Sequence, residues 1–183
     1  MHNNILDQNN CVLLVIDMQE KFKNIIQNPD QVINNISILV KASNILDIPV
    51  IYTEQYPKGI GPTVDILKQD LSGATYFEKI FFSCCKDINF MDYLKSLQKK
   101  QVIVCGIEAH ICVNNTVHDL LDACYSPHVM SDAISSRSEL NLRVGIEKMR
   151  DSGAIISCVE MALFEIMKLS KHENFKEIQK LII

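Results

Sequence analysis

The sequence predicts an α/β protein with a mostly parallel sheet of about five or six strands, covered by helices on both faces. Three observations predict it. The runs 11–16, 49–53 and 101–107 are short and apolar without polar alternation, as in strands buried on both sides. Between such runs, longer segments space their apolar residues at helical intervals. Strand and helix signals then alternate along all 183 residues without repeats, low-complexity tracts or a linker, which reads as a single domain over 1–183.

Cys11–Met18 is the first strand and carries an acid, Asp17, at its C-terminal end. Asp30–Leu46 is the first long helix, with Val32, Ile33, Ile36, Leu39 and Val40 on one face. Pro49–Thr53 is a second strand, and the turn-rich stretch 54–62 is a loop long enough to be functional. Tyr76–Phe82 is a short strand carrying Lys79, followed by a helix over Ile88–Lys99. The strand 101–107 leaves through Gly106, which permits a sharp exit, and Val113–Tyr125 has helical spacing. His128–Ala133 is another strand. Ser136 and Glu139 form a capping-box pattern for a helix through Arg150, with Gly153 just past its end. Ala154–Ser157 is the last strand, and Val159–Leu169 and Asn174–Ile183 are closing helices. Strand order is not legible. In such sheets ligands bind at the carboxyl ends of strands, where Asp17, the 54–62 loop and Cys112 all fall.

Composition narrows the function classes. The net charge of −4, with no basic run or face, argues against a nucleic-acid partner. The first ten residues are polar and the apolar segment 11–16 is too short to span a bilayer, so no leader or membrane anchor is expected. Seven cysteines, several inside apolar runs and none in C-x-x-C spacing, fit a reducing, cytoplasmic setting rather than disulfides or zinc. The five histidines form no pair four residues apart.

Three residues at strand ends can carry chemistry. Cys112 falls where a buried strand turns into a helix, whose N-terminal partial charge favours a thiolate; that makes it the thiol expected to react first. Its plainer reading is a core cysteine. Asp17 in an apolar run is costly unless paired, or else caps a turn. Lys79 lies in an aromatic run, and taken alone reads as a snorkelling lysine on an edge strand. His110 is a candidate pocket residue or a solvated loop histidine. Phe22 is a pocket aromatic or plain core. Asp132 reads as ordering the turn after its strand, and Cys84-Cys85 as having no role. Sequence spacing does not join Asp17, Lys79 and Cys112.

A family resemblance does join them. Ile16-Asp17-Met18-Gln19, the Lys79 segment and Gly106-Ile-Glu-Ala-His-Ile-Cys112-Val, in this order, resemble the isochorismatase-like cysteine hydrolase superfamily, and the likeness runs from about residue 11 to about residue 169. The runs 53–64 and 131–139 are similar to one subgroup, the isochorismatase domain-containing proteins. The resemblance implies a Rossmann-like three-layer α/β/α sandwich and a catalytic triad of Asp17, Lys79 and Cys112. It implies hydrolysis of a small amide-like or ester-like substrate through a Cys112 thioester, with Asp17 as base and Lys79 as electrostatic partner. An oxyanion hole would come from the backbone N–H groups of Glu108 and Cys112, around a non-proline cis bond at Ile107–Glu108. The Glu108 side chain would then be free for solvent or a neighbouring subunit. Phe22, Tyr56 and His110 would line the substrate pocket.

Departures from the family pattern matter too. The metal ligands of the nicotinamidase branch are missing from Thr53-Glu54-Gln55-Tyr56, so neither metal nor cofactor is expected. Cys112 stands where some isochorismatases have glycine, which argues against isochorismate as substrate. Homo-oligomers are implied, with Leu181–Ile183 and the Tyr56–Pro62 loop as surfaces to bury. The alternatives are a nicotinamidase-type or carbamoyl-type amidase and a non-catalytic redox-sensing or scaffold protein; retention of the whole triad disfavours the scaffold.

Overall fold

A computed structural model describes residues 4–183; Met1, His2 and Asn3 lie outside the described residues. Its centre is a six-stranded, all-parallel sheet in the order β3-β2-β1-β4-β5-β6. The strands are β1 (Cys11–Ile16), β2 (Val50–Gln55), β3 (Thr75–Lys79), β4 (Gln101–Ile107), β5 (Ser126–Ser135) and β6 (Ile155–Ser157). One face is covered by α2 (Pro29–Ile45), α4 (Asp65–Asp70), α8 (Val159–Met167) and α9 (Phe175–Ile182). The other carries α5 (Ile88–Ser96), α6 (Asn114–Asp122) and α7 (Glu139–Asp151). Two single turns, α1 (Glu20–Lys23) and α3 (Pro57–Ile60), lie at the carboxyl edge.

The two-sided cover explains the apolar runs. Along β1, Cys11, Leu13 and Val15 pack into one core, while Val12, Leu14 and Ile16 pack into the other. Burying each such side chain contributes about 1.5–3 kcal/mol, so polar alternation has no place in this strand. β4 divides the same way, with Ile103, Cys105 and Ile107 on one side and Val102 and Val104 on the other. β1 and β4 approach closely at their exits. Gly106 has a φ of +109°, and a Cβ there would collide with the backbone of Ile16.

Several boundaries differ from expectation, each for a local reason. β2 runs on to Gln55 because the Gln19 side chain supplies its backbone with hydrogen bonds: Gln55 N–H donates to Gln19 Oε1 at 2.8 Å and Gln19 Nε2 donates to Gln55 O at 3.0 Å. α4 was not expected; it buries one residue, Leu67, too few to leave a period. α7 is capped by Ser138, which accepts from Asn141 N–H at 3.2 Å, and not by Ser136, which is buried. β5 extends to Ser135 past a register shift opposite Val104–Gly106. Leu181 and Ile182 pack against the protein's own core, and only Ile183 of the C-terminal trio stays largely exposed. No helix among the described residues is long and apolar enough to cross a membrane.

Candidate active site

The strand order reverses between β1 and β4, and the crevice above such a switch point is where open α/β sheets bind ligands. Asp17 follows β1 directly. Its φ of 51° is left-handed, a conformation aspartate tolerates better than most residues, and it turns the carboxylate into the crevice edge. Lys79 ends β3 and reaches past the end of β2 to place Nζ 2.6 Å from Asp17 Oδ2. Thr53, on β2, donates its hydroxyl to Asp17 Oδ1 at 2.7 Å. Asp17 and Lys79 are 1% and 3% exposed, so this is a fully desolvated ion pair.

Cys112 comes from β4, beyond the cis peptide Ile107–Glu108, in a π-helical turn over Ala109–Val113 that precedes α6. Its thiol is buried and within range of Asp17, Lys79 and Cys84. The structure therefore brings together all three expected triad residues. The thiol was expected to be poised as a thiolate, and its burial works against that. Burial pushes its pKa up strongly, the Asp17 charge adds to this, and Lys79 offsets only part. The regular helix begins two residues later, at Asn114, and the lysine's charge is already matched by Asp17. Cys124, exposed at the end of α6, is the first of the seven for a solution reagent to reach. For Lys79, burial works against the charge, but the Asp17 carboxylate outweighs it and raises the pKa.

Glu108 corrects another expectation. Its side chain is buried, not free: Arg137 grips both carboxylate oxygens, Nε to Oε1 at 3.0 Å and Nη2 to Oε2 at 2.7 Å, and the Arg137 backbone N–H adds a third bond. Burial alone would raise the Glu108 pKa; the Arg137 bonds overcome it and hold the carboxyl below its usual range. This clamp ties the loop after β5 to the exit of β4. His110 is likewise fixed, Nδ1 2.9 Å from Ser136 Oγ and Nε2 3.3 Å from Asn141 Nδ2. Tyr56 is half exposed at a left-handed position before α3, its backbone N–H donating to Lys79 O at 3.0 Å, and Phe22 is half-buried against the core.

Among the described residues, no group of three or more His, Cys, Asp or Glu side chains is placed to hold a metal ion. Glu54 is committed elsewhere, accepting from Thr63 N–H at 2.6 Å, Thr63 Oγ1 at 2.7 Å and Tyr76 OH at 3.0 Å. A cavity of about 630 Å³ lies at the opposite end of the sheet, beside Lys100, Tyr125 and Ser126, and does not touch the triad.

The family model for the isochorismatase domain matches residues 11–161. The chain belongs to the isochorismatase family. Isochorismatase domain-containing protein 2 of Danio rerio is 42% identical over 178 residues, covering 97% of this chain and 89% of its own. Among solved structures, one described as MAR1 ribonuclease from Caenorhabditis elegans is 41% identical with a TM-score of 0.93, covering 97% of this chain and 92% of its own. The YcaC gene product of Escherichia coli, described as an octameric hydrolase of unknown specificity, is 22% identical with a TM-score of 0.92, covering 97% and 89%. The chain thus has the isochorismatase-family hydrolase fold, and the general hydrolase reaction fits it.

Reading the sequence missed Thr53, Gln19, Gln55 and Arg137. Gln19, Thr53 and Gln55 are polar residues at or just past strand ends in otherwise apolar surroundings, the same signal that picked out Asp17. Arg137 had no such signal beyond its place in the 131–139 run that resembles isochorismatase domain-containing proteins.

Proposed function

We propose that this single-domain chain is a cysteine hydrolase that cleaves a small amide-like or ester-like carbonyl compound through a thioester on Cys112. One observation carries the reading: a buried carboxylate, Asp17, is held between Lys79 at 2.6 Å and Thr53 at 2.7 Å while also acting on the Cys112 thiol. Because burial and the Asp17 charge favour the neutral thiol, attack and deprotonation go together. The Cys112 proton passes to Asp17 as sulfur bonds to the carbonyl carbon, and the carbonyl oxygen takes up the negative charge. Backbone N–H groups of Glu108 and Cys112 are the donors proposed for that oxygen. Asp17 then returns the proton to the leaving amine or alcohol as its bond to carbon breaks. Water, giving a proton to Asp17, attacks the thioester and frees the acid, and the thiol is restored.

Lys79 is the electrostatic partner that holds the Asp17 carboxylate in place. Phe22, Tyr56 and His110 are proposed as pocket residues, the His110 ring fixed by Ser136 and Asn141. The seven free thiols support a reducing, cytoplasmic setting. The reading includes a homo-oligomer, supported by the exposed apolar side chains of Tyr56, Ile80, Phe82 and Ile88 near the site edge and by the octamer of the YcaC relative; light scattering that finds only monomer at micromolar concentration refutes it.

The test is a panel of small amides and esters with intact-mass detection of an acyl adduct. An adduct mapping to Cys112, absent in Cys112→Ala and formed about 10²–10⁴ times more slowly in Asp17→Asn, is the expected result. An RNA arm belongs in the same panel, because the C. elegans relative is described as a ribonuclease. RNA cleavage that survives Cys112→Ala, with no acyl adduct from any amide or ester, overturns the reading.

A further inference from the structure

An ammonium group has three protons to place, and around Lys79 each has a definite acceptor. Nζ donates to Asp17 Oδ2 at 2.6 Å, to Gln55 Oε1 at 2.7 Å, and to the carbonyls of Phe81 and Phe82 at 3.2 and 3.3 Å. Gln55 cannot turn its amide over, because its Nε2 donates to Ile80 O at 2.8 Å, which leaves the oxygen facing the lysine. Its backbone is held in turn by Gln19, which bonds both its N–H and its carbonyl and sends Nε2 on to Gly61 O at 2.6 Å. Gln19, Gln55, Lys79 and Asp17 therefore form one continuous buried chain of polar side chains. Through the bonds of its side-chain amide to Lys79 and Ile80, Gln55 acts on the triad.

We infer that Gln55 is a positioning residue: its side-chain carbonyl pins the Lys79 ammonium against Asp17 and so sets how readily Cys112 gives up its proton. This rests on reading Asp17 and Cys112 as base and nucleophile. A glutamine suits the task because it accepts a proton without adding charge. A glutamate would set two carboxylates on one ammonium and oppose a thiolate nearby; a methionine would fill the space and leave the ammonium to Asp17 and the two longer carbonyl bonds, without its second short one. The ionisable groups around the thiol are Asp17 after β1, Lys79 at the end of β3 and Cys84 in the turn that follows.

The experiment follows the rate of Cys112 alkylation by iodoacetamide from about pH 6 to about pH 10 in the full chain. Peptide mapping assigns the label, urea unfolding reports folding, and the exposed Cys124 serves as internal reference. Gln55→Glu should move the Cys112 profile up by about one pH unit or more, roughly tenfold slower at fixed pH, and Gln55→Met should slow it about threefold. In a Lys79→Met background, Gln55→Met should add nothing further, because the glutamine acts through the lysine. Cys124 should label alike in all variants. Folded Gln55→Glu and Gln55→Met proteins with the wild-type Cys112 profile overturn the inference. Should Gln55→Glu fail to fold, Gln55→Met decides alone by the same threefold criterion. Failure of the hydrolase reading is distinct: no acyl adduct forms on Cys112, whatever the alkylation profile shows.

Discussion

The Asp17 and Lys79 side chains illustrate how unevenly a buried ion pair responds to change. Desolvating both charges costs about as much as their attraction returns, so the pair itself adds little stability; removing one partner strands the other. Lys79→Met should therefore destabilise the fold by about 3–5 kcal/mol in urea unfolding, and the Asp17→Asn/Lys79→Met double variant should recover part of that loss. A cost below about 1 kcal/mol for the single change would mean that water reaches Asp17. His128, on β5, is another buried polar residue, with neither ring nitrogen in a hydrogen bond among the described residues. Burial drives its pKa from 6.5 down to about 4. The unfolded chain accepts the proton first, so His128 gives its full stability above about pH 6.5 and loses it progressively as pH falls toward about 4. His128→Leu should flatten this acid slope and, by removing an unpaired polar group, add about 1–3 kcal/mol at neutral pH. Unfolding curves at pH 7 and pH 5 measure both; an unchanged slope would place the acid sensitivity elsewhere.

At the scale of elements, the exit of β4 is the tightest junction. Gly106→Ala should lower stability by more than the usual surface substitution, because an L side chain is disfavoured at φ +109° and its Cβ meets the Ile16 backbone directly before Asp17. The expected mark is a lower urea midpoint at unchanged slope, with slower Cys112 chemistry; a wild-type midpoint would show that β1 and β4 can separate at no cost. Legibility followed burial. β1 and β4 could be read because burial on both faces leaves continuous apolar runs, and α2 and α6 because one face alone is apolar. α4 and the extension of β2 could not, since each depends on contacts from remote segments: Leu67 dropping into the core, Gln19 bonding Gln55. The triad was legible residue by residue at strand ends. Its assembly was not, because adjacency depends on strand order, and only the motif resemblance supplied it. The Glu108–Arg137 clamp left no trace in the sequence, as nothing local requires an arginine twenty-nine positions away.

Across the whole molecule, the centre draws on strands of very different standing. β1 and β4 lie in the middle of the sheet with partners on both sides, whereas β3 is outermost and bonded to β2 alone. Thr75–Glu78 of β3 are all at least partly open to solvent, and Lys79 alone in that strand is buried. Outer strands open locally at a free energy well below that of global unfolding. Lys79 can therefore be lost while everything else is still folded: peeling one short strand takes the cation away and leaves Asp17 and Cys112 in place without it. Amide hydrogens of Tyr76–Lys79 should exchange with deuterium well before those of β1 and β4, and stabilising the β2–β3 edge should slow that exchange with no shift in the global unfolding midpoint. Equal protection across β1, β3 and β4 would mean that the lysine departs only when the whole sheet does.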